Sequence, residues 1–340
     1  EKVMNKLTRT LAGIMAMATM LSFASCNKRK IALKDDNSVD QSSAIQQMAE
    51  TSYKAVEIDA ELPFVEVNSI MPIGTTGKFL ASGFVEDEKG MYNVKGYIAD
   101  ADFSVFKEID LGIKTTDSVN FNAHYVAAND GKIYAVAMIT DYGDFELPDY
   151  NDPDFDYENF DYEAMEEAAT YTYKIFTISE SGEILTESEI SGIEKFSDAD
   201  DSSGTVYLRD CFALGSSKIC LSLSGGINSD YIIVDSDGSI SEPIDFGTDD
   251  YFHPYGTDRD NNFVYMTNEG SDNILKTLDA ETLTVSPDSI TVDAALYFNA
   301  VIKGSGEYRV YLSSLTSLYG MKDDGSVVEI INWIDYEMTG

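Results

Sequence analysis

The densest run of side chains able to do chemistry lies between Asp141 and Thr170, with twelve carboxylates, seven Phe or Tyr and no Lys or Arg. Several carboxylates converging on one point are what a hard cation such as Ca²⁺ requires. Asp149, Asp152, Asp154 and Asp156 are the candidate ligands. Their spacing follows no fixed ligand pattern, so a solvated acidic loop is the favoured reading and a metal site the alternative. Asp198-Ala199-Asp200-Asp201-Ser202-Ser203-Gly204 and Asp258-Arg259-Asp260-Asn261-Asn262 are also acidic and turn-like. Neither keeps Gly at the sixth position with Glu at the twelfth, as an EF-hand demands, and Asx-rich turns account for both.

Catalytic patterns are sparse. The two histidines, His124 and His253, stand in different parts of the chain, and no H-x-E or H-E-x-x-H arrangement exists for zinc. Paired carboxylates are so abundant that no one pair marks glycoside chemistry. There is no G-x-S-x-G elbow and no phosphate-binding glycine loop. The expectation is a protein that is not an enzyme and holds no cofactor, with His253, beside Pro254, as a loop histidine.

Cys211 and Cys220 flank Leu214-Gly215-Ser216-Ser217, a turn signal midway between them. A tight hairpin there would set the two thiols directly across from one another, where they could oxidise outside the cytoplasm. Such direct cross-strand bonds are strained, and two buried thiols are the favoured reading.

The third cysteine has a different context. Lys6 and Arg9 form a basic head, and Leu11 to Phe23 is an apolar run without an acidic residue, followed by Ala24-Ser25-Cys26. This is the layout of a secretory signal. Its apolar run is shorter than the roughly twenty residues that cross a bilayer as a helix. Phe23-Ala24-Ser25-Cys26 resembles the bacterial lipobox, with Phe where Leu is usual. The resemblance implies cleavage before Cys26, a thioether-linked diacylglycerol on its sulfur, and residence on the outer side of the cytoplasmic membrane or the outer membrane. Met4 is the expected initiator, with Glu1 to Val3 read as upstream translation, so residues 1–25 form the signal peptide.

Residues 26–50 form a lipidated polar tether, rich in Asp, Ser, Lys and Gln and without apolar periodicity. Its cluster Lys28-Arg29-Lys30 could rest against acidic headgroups or be solvated. The net charge of -37, from sixty acidic and twenty-three basic residues, excludes nucleic acid as a partner, because phosphate binding needs clustered cations.

The elements that must position all these side chains are strands. From about Ser52 the chain reads as short β-branched and aromatic runs separated by turn signals, which is an all-β pattern. A strand, tight turn and strand recurs at Tyr97–Val105, Lys174–Ile184, Tyr231–Ile240, Leu275–Val285 and Leu318–Val327. Asp237-Gly238 and Asp324-Gly325 are the expected hairpin turns between outer strands, since Gly takes positive φ without strain. A second strand precedes each copy, beginning at Gly77-Lys78, Gly131-Lys132, Ser217-Lys218, Asn262-Phe263 and Tyr308-Arg309. A third element stands earlier still, at Val67-Asn68-Ser69, Phe121-Asn122-Ala123, Phe252-His253-Pro254 and Phe298-Asn299-Ala300.

The last two turn-to-turn intervals are forty-four and forty-three residues. Four strands in that length is the period of a propeller blade. Residues 51–340 are therefore expected to form a β-propeller-like array of four-stranded repeats, about five of them, with an irregular β-sandwich as the alternative. The acidic segment falls between the second and third strands of its repeat.

Lipobox, acidic tether, propeller-like repeats and the ending Leu318-Tyr319-Gly320 through Ile330-Ile331-Asn332-Trp333-Ile334-Asp335 together resemble the amino-terminal half of large extracellular solute-binding lipoproteins. The resemblance implies uptake of a carbohydrate or similar solute, with an ABC permease as partner through an α/β domain that would follow Gly340; residues 51–340 are then a fragment truncated at its C-terminus, or else a stand-alone relative. A glycan or another envelope protein is the implied partner of the propeller itself. A stand-alone structural or protein-interaction propeller lipoprotein is the alternative.

Overall fold

A computed structural model describes residues 61–86, 92–128, 130–148, 156, 159–196, 205–214, 218–224, 229–246, 252–269, 272–287, 289–292, 298–314 and 317–332. The expected signal peptide and tether, and with them Cys26, lie outside the described residues. Among the described residues no helix is long and apolar enough to cross a membrane.

The fold is all-β, and among the described residues the strands form five successive antiparallel sheets of the kind that make β-propeller blades. The first sheet is β1 (Glu66–Pro72), β2 (Phe79–Glu86), β3 (Tyr92–Ala99) and β4 (Phe106–Glu108). The second is β5 (Val119–Ala127), β6 (Ile133–Asp141), β7 (Thr170–Ile178) and β8 (Ile184–Ile190). The third is β9 (Tyr207–Leu214), β10 (Lys218–Ser224) and β11 (Ser229–Val234). The fourth holds β12 (Phe252–Thr257), β13 (Phe263–Glu269), β14 (Asp272–Asp279), β15 (Thr284–Val285) and β16 (Ile290–Val292). The fifth is β17 (Phe298–Lys303), β18 (Tyr308–Ser314), β19 (Ser317–Lys322) and β20 (Val327–Asn332). Sheets one to three belong to one compact unit and sheets four and five to a second.

Each sequence repeat becomes one sheet. Four of the recurring hairpins are third-to-fourth connections, the one at Tyr231–Ile240 leads only to a bridge, and the five Gly-Lys-type starts are the second strands. Gly238 and Gly325 sit in their turns at φ of 84° and 81°, each donating its N–H back across the turn, to Asp235 and Lys322 respectively. The third element falls on the first strand each time; it coincides with a β-bulge at Asn68 and Asn299 and directly precedes one at Tyr255. A bulge places an extra residue in one strand and increases local twist.

Two sheets depart from four even strands. In the fourth sheet the outer strand is split, β15 and β16 both pairing with β14. In the third, among the described residues only the isolated bridge Val234↔Ile240 stands where a fourth strand was expected. The segment still follows β11, with Ser241 N–H donating to Ile233 at 3.0 Å and Ile244 N–H to Tyr231 at 2.7 Å. Pro243 between them has no N–H to give. The Ile233 N–H turns instead to the Ser241 hydroxyl.

Second strands are buried nearly end to end: β2, β6 and β10 are covered on both faces. Within the first unit, one apolar cluster joins β3 to β5, β6 and β7 through Ile98, Tyr125, Ala135 and Phe176. Another joins the second sheet to the third through Val126, Val136, Ile175, Leu208 and Leu221. Stacked sheets explain why these strands read as continuous apolar runs instead of strict alternation. In the second unit, Val264, Leu275, Val310, Leu312 and Met321 pack together in the same manner.

Candidate functional site

The acidic segment leaves the second sheet and returns to it through a single cross-strand pair, Asp141↔Thr170. It is thus an excursion between the second and third strands of its sheet, as its sequence position implies. Asp149, Asp152 and Asp154 lie outside the described residues. Asp156 is exposed, and its carboxylate accepts from the Asn159 backbone at 3.3 Å and side chain at 2.7 Å. Among the described residues no three metal-ligating side chains converge.

The segment contains one element that the sequence pattern did not announce, a short helix α1 (Tyr162–Ala168). Asp161 caps it by accepting from Ala164 N–H at 2.9 Å, and Glu163 suits the positive end of the helix. Phe160 lies between Phe145, at 6.0 Å edge-on, and Tyr162, at 4.8 Å. These half-exposed rings touch one another within the excursion, while Asp144, Glu146, Asp161, Glu163, Glu166 and Glu167 stay exposed.

Asp258 has a different fate. Its side chain is fully buried, and Oδ1 accepts from the N–H groups of Asp260 at 2.9 Å and Asn262 at 2.8 Å. Oδ2 accepts from Asn262 Nδ2 at 3.2 Å and from Arg309 Nε at 2.8 Å. The Asx turn inferred from sequence is therefore present, and Arg309 supplies the positive charge that a calcium ion would have brought. Next to it, Arg259 grips both oxygens of Asp323, at 2.8 and 2.9 Å, and donates to the Gly306 carbonyl. Lys303, which donates to Asn261, has its pKa lowered by burial against the opposing pull of Asp258 and Asp260. The whole network ties the first hairpin of the fourth sheet to the first hairpin of the fifth, through Lys303, Gly306 and Arg309, and to its last, through Asp323.

Cys211 and Cys220 are both buried free thiols. Cys211 pairs with Leu221 and Cys220 with Phe212, so the two are one register step apart and point to opposite faces of the sheet. The direct cross-strand geometry does not form. Burial raises the pKa of both thiols, with Asp210 adding to it.

The two histidines sit on strands. His253 lies on β12 opposite Met266, which corrects its reading as a loop residue. His124 lies on β5 opposite Val136 and reaches into the third sheet: it hydrogen-bonds the backbone of Leu208, and Nδ1 is 3.9 Å from Asp210 Oδ1. Nε2 is buried and has no hydrogen-bond partner. The ring is therefore held as a donor through Nδ1, with its other nitrogen covered by protein. Burial lowers its pKa, and Asp210 and the Leu208 bond oppose that shift. Sequence reading noted His124 but missed Asp210, eighty-six residues away, and no local signal joins them.

No family model and no curated protein matches the chain. Among solved structures it is similar to a dipeptidyl peptidase 4 from Porphyromonas gingivalis, at 13% identity over 82% of this chain and 48% of that one, with a TM-score of 0.41. It is also similar to an oligogalacturonate lyase from Vibrio parahaemolyticus, at 11% identity over 75% of each chain and a TM-score of 0.39. A third is the Dos1 propeller, at 16% identity over 77% of this chain and 72% of that one, with a TM-score of 0.36. The chain spans about half the length of the peptidase. At such identities the likeness concerns fold alone. The expectation that the chain is not an enzyme stands corrected: a peptidase and a lyase are among the structures to which it is similar.

Proposed function

We propose that this protein is a lipid-anchored extracytoplasmic lipoprotein whose propeller portion serves the uptake of a carbohydrate or a similar solute, with an ABC permease as partner. The observation that carries the reading is the order of segments along one chain: basic head, apolar run, Ala24-Ser25-Cys26, polar tether, then a repeat-built β domain. A diacylglycerol on Cys26 supplies two buried acyl chains, which is what stable anchoring takes. The tether then holds the sheets clear of the headgroups. The strong acidity of the domain suits this placement, because an anionic surface repels it and leaves it facing solution.

The test has two arms. Replacing Cys26 with Ala should move the protein from the detergent phase to the aqueous phase and abolish acyl labelling. The soluble mature form should bind oligosaccharides in calorimetry and compete with uptake in cells. Lipidation without any glycan binding, together with stable co-purification of envelope proteins, would replace uptake with the scaffold reading. Detergent partition that survives Cys26→Ala would remove the lipoprotein assignment itself.

A further inference from the structure

We propose that His124 is an acid-sensitive latch between the second and third sheets, holding the edge strand β9 while neutral and releasing it on protonation. β9 stands at the end of its sheet. An edge strand presents backbone groups that need partners, and the imidazole of His124 meets one of them at Leu208. The same ring has its second nitrogen buried and unpartnered. In the neutral form this costs one unused acceptor. Adding a proton there creates a charged donor with no acceptor in reach, which is a far larger penalty.

The surroundings give the added charge little relief. From β6, the residues on the facing side are Tyr134, Val136 and Met138, which are uncharged. From β9 the charged residues are Arg209, which donates to Ser224 at 3.2 Å, and Asp210 at 3.9 Å; the Cys211 thiol is neutral. The ionisable residues of the first sheet, Tyr97, Lys95 and Glu108, gather near Tyr125, whose ring points to the opposite face of β5. The Asp210 side chain is 62% exposed, so solvent screens its attraction. Because burial lowers the histidine's pKa, the stability it contributes is present above the ordinary histidine range. It is lost as pH falls through that range toward the lowered value.

With two histidines in the chain, proton titration is readily resolved. Imidazole resonances and melting temperatures of the full chain in detergent would be followed from about pH 7.5 to about pH 5, together with His124→Gln and His253→Gln. Gln can still donate to the Leu208 carbonyl but takes up no proton. The expected result is a melting temperature that falls by several degrees in the parent and in His253→Gln, and by less than half as much in His124→Gln. The His124 resonance should titrate below the value of a free histidine. Equal slopes in the parent and His124→Gln would overturn the latch. Should the variant fail to fold, a parental His124 midpoint at or above the free value would do so.

Discussion

The Tyr173 hydroxyl donates to the Val206 carbonyl at 2.6 Å, joining the third strand of the second sheet to the residue that leads into the third. Val206 is itself buried in the apolar cluster between those sheets. The bond therefore pins the start of β9 from one side while His124 engages Leu208 from another.

Tyr173→Phe removes that donor and leaves the Val206 carbonyl unpaired. The expected cost is about 1 kcal/mol, or a fall of about 3 °C in melting temperature for a unit of this size. Burial, the largest cause, pushes the Tyr173 pKa up to about 12. Its neutral form is favoured in the folded state, so its contribution is complete below about pH 10 and is lost between there and about pH 12. Ultraviolet titration of the phenolate in parent and variant would register this late ionisation.

Gly238 packs against β8, where an added Cβ would fall 2.0 Å from the Glu189 carbonyl oxygen, and its φ is 84°. Gly77, at φ 76°, has nothing within 4 Å of the same position. Both substitutions by Ala incur the left-handed backbone penalty of roughly 1 kcal/mol. Gly238→Ala alone must also push two sheets apart. Urea unfolding should show Gly238→Ala losing at least twice the stability lost by Gly77→Ala, and equal losses would disprove the steric contact.

Asp258→Asn breaks a buried pair while keeping the shape of the side chain. Loss of one member of such a pair costs about 3–5 kcal/mol, because the other charge is left without compensation. Arg309→Met should be similarly damaging. The double substitution should cost less than the two singles added together, a coupling that a double-mutant cycle by chemical denaturation would measure. Simple additivity would mean that the charges act independently.

Deletion of Asp144 to Glu167 removes most of the acidic excursion but spares the Asp141↔Thr170 pair from which it springs. Its described carboxylates are exposed and its aromatic contacts, Phe145 to Phe160 to Tyr162, are internal to it. The melting temperature in metal-free buffer should stay within a few degrees of the parent. Millimolar Ca²⁺ should have no selective effect on the parent. A rise of several degrees in the parent and none in the deletion would establish a metal site.

Cys211 and Cys220 should not react with a thiol reagent such as DTNB in the native protein, because both are buried and their pKa values are raised. Both should react fully in denaturant. Rapid native labelling of either would contradict its burial.

What the sequence determined by itself is the local grammar of the fold. Turn residues act on their own neighbours, so Asp237-Gly238 and Asp324-Gly325 declared hairpins, and the Gly-Lys starts declared second strands, without knowledge of any distant contact. Repetition of that grammar accounts for the five sheets among the described residues. Asp258 illustrates the boundary: its Asx turn is written in the four residues that follow it, but its buried partner, Arg309, is fifty-one residues away. The same holds for His124, whose significance depends on Leu208 and Asp210 in another sheet, and for the thiols, where one step of register sent two side chains to opposite faces. Only the tertiary structure decided these relationships. Burial, register and charge pairing are properties of surfaces brought together by packing, and one strand carries no record of which surface it will meet.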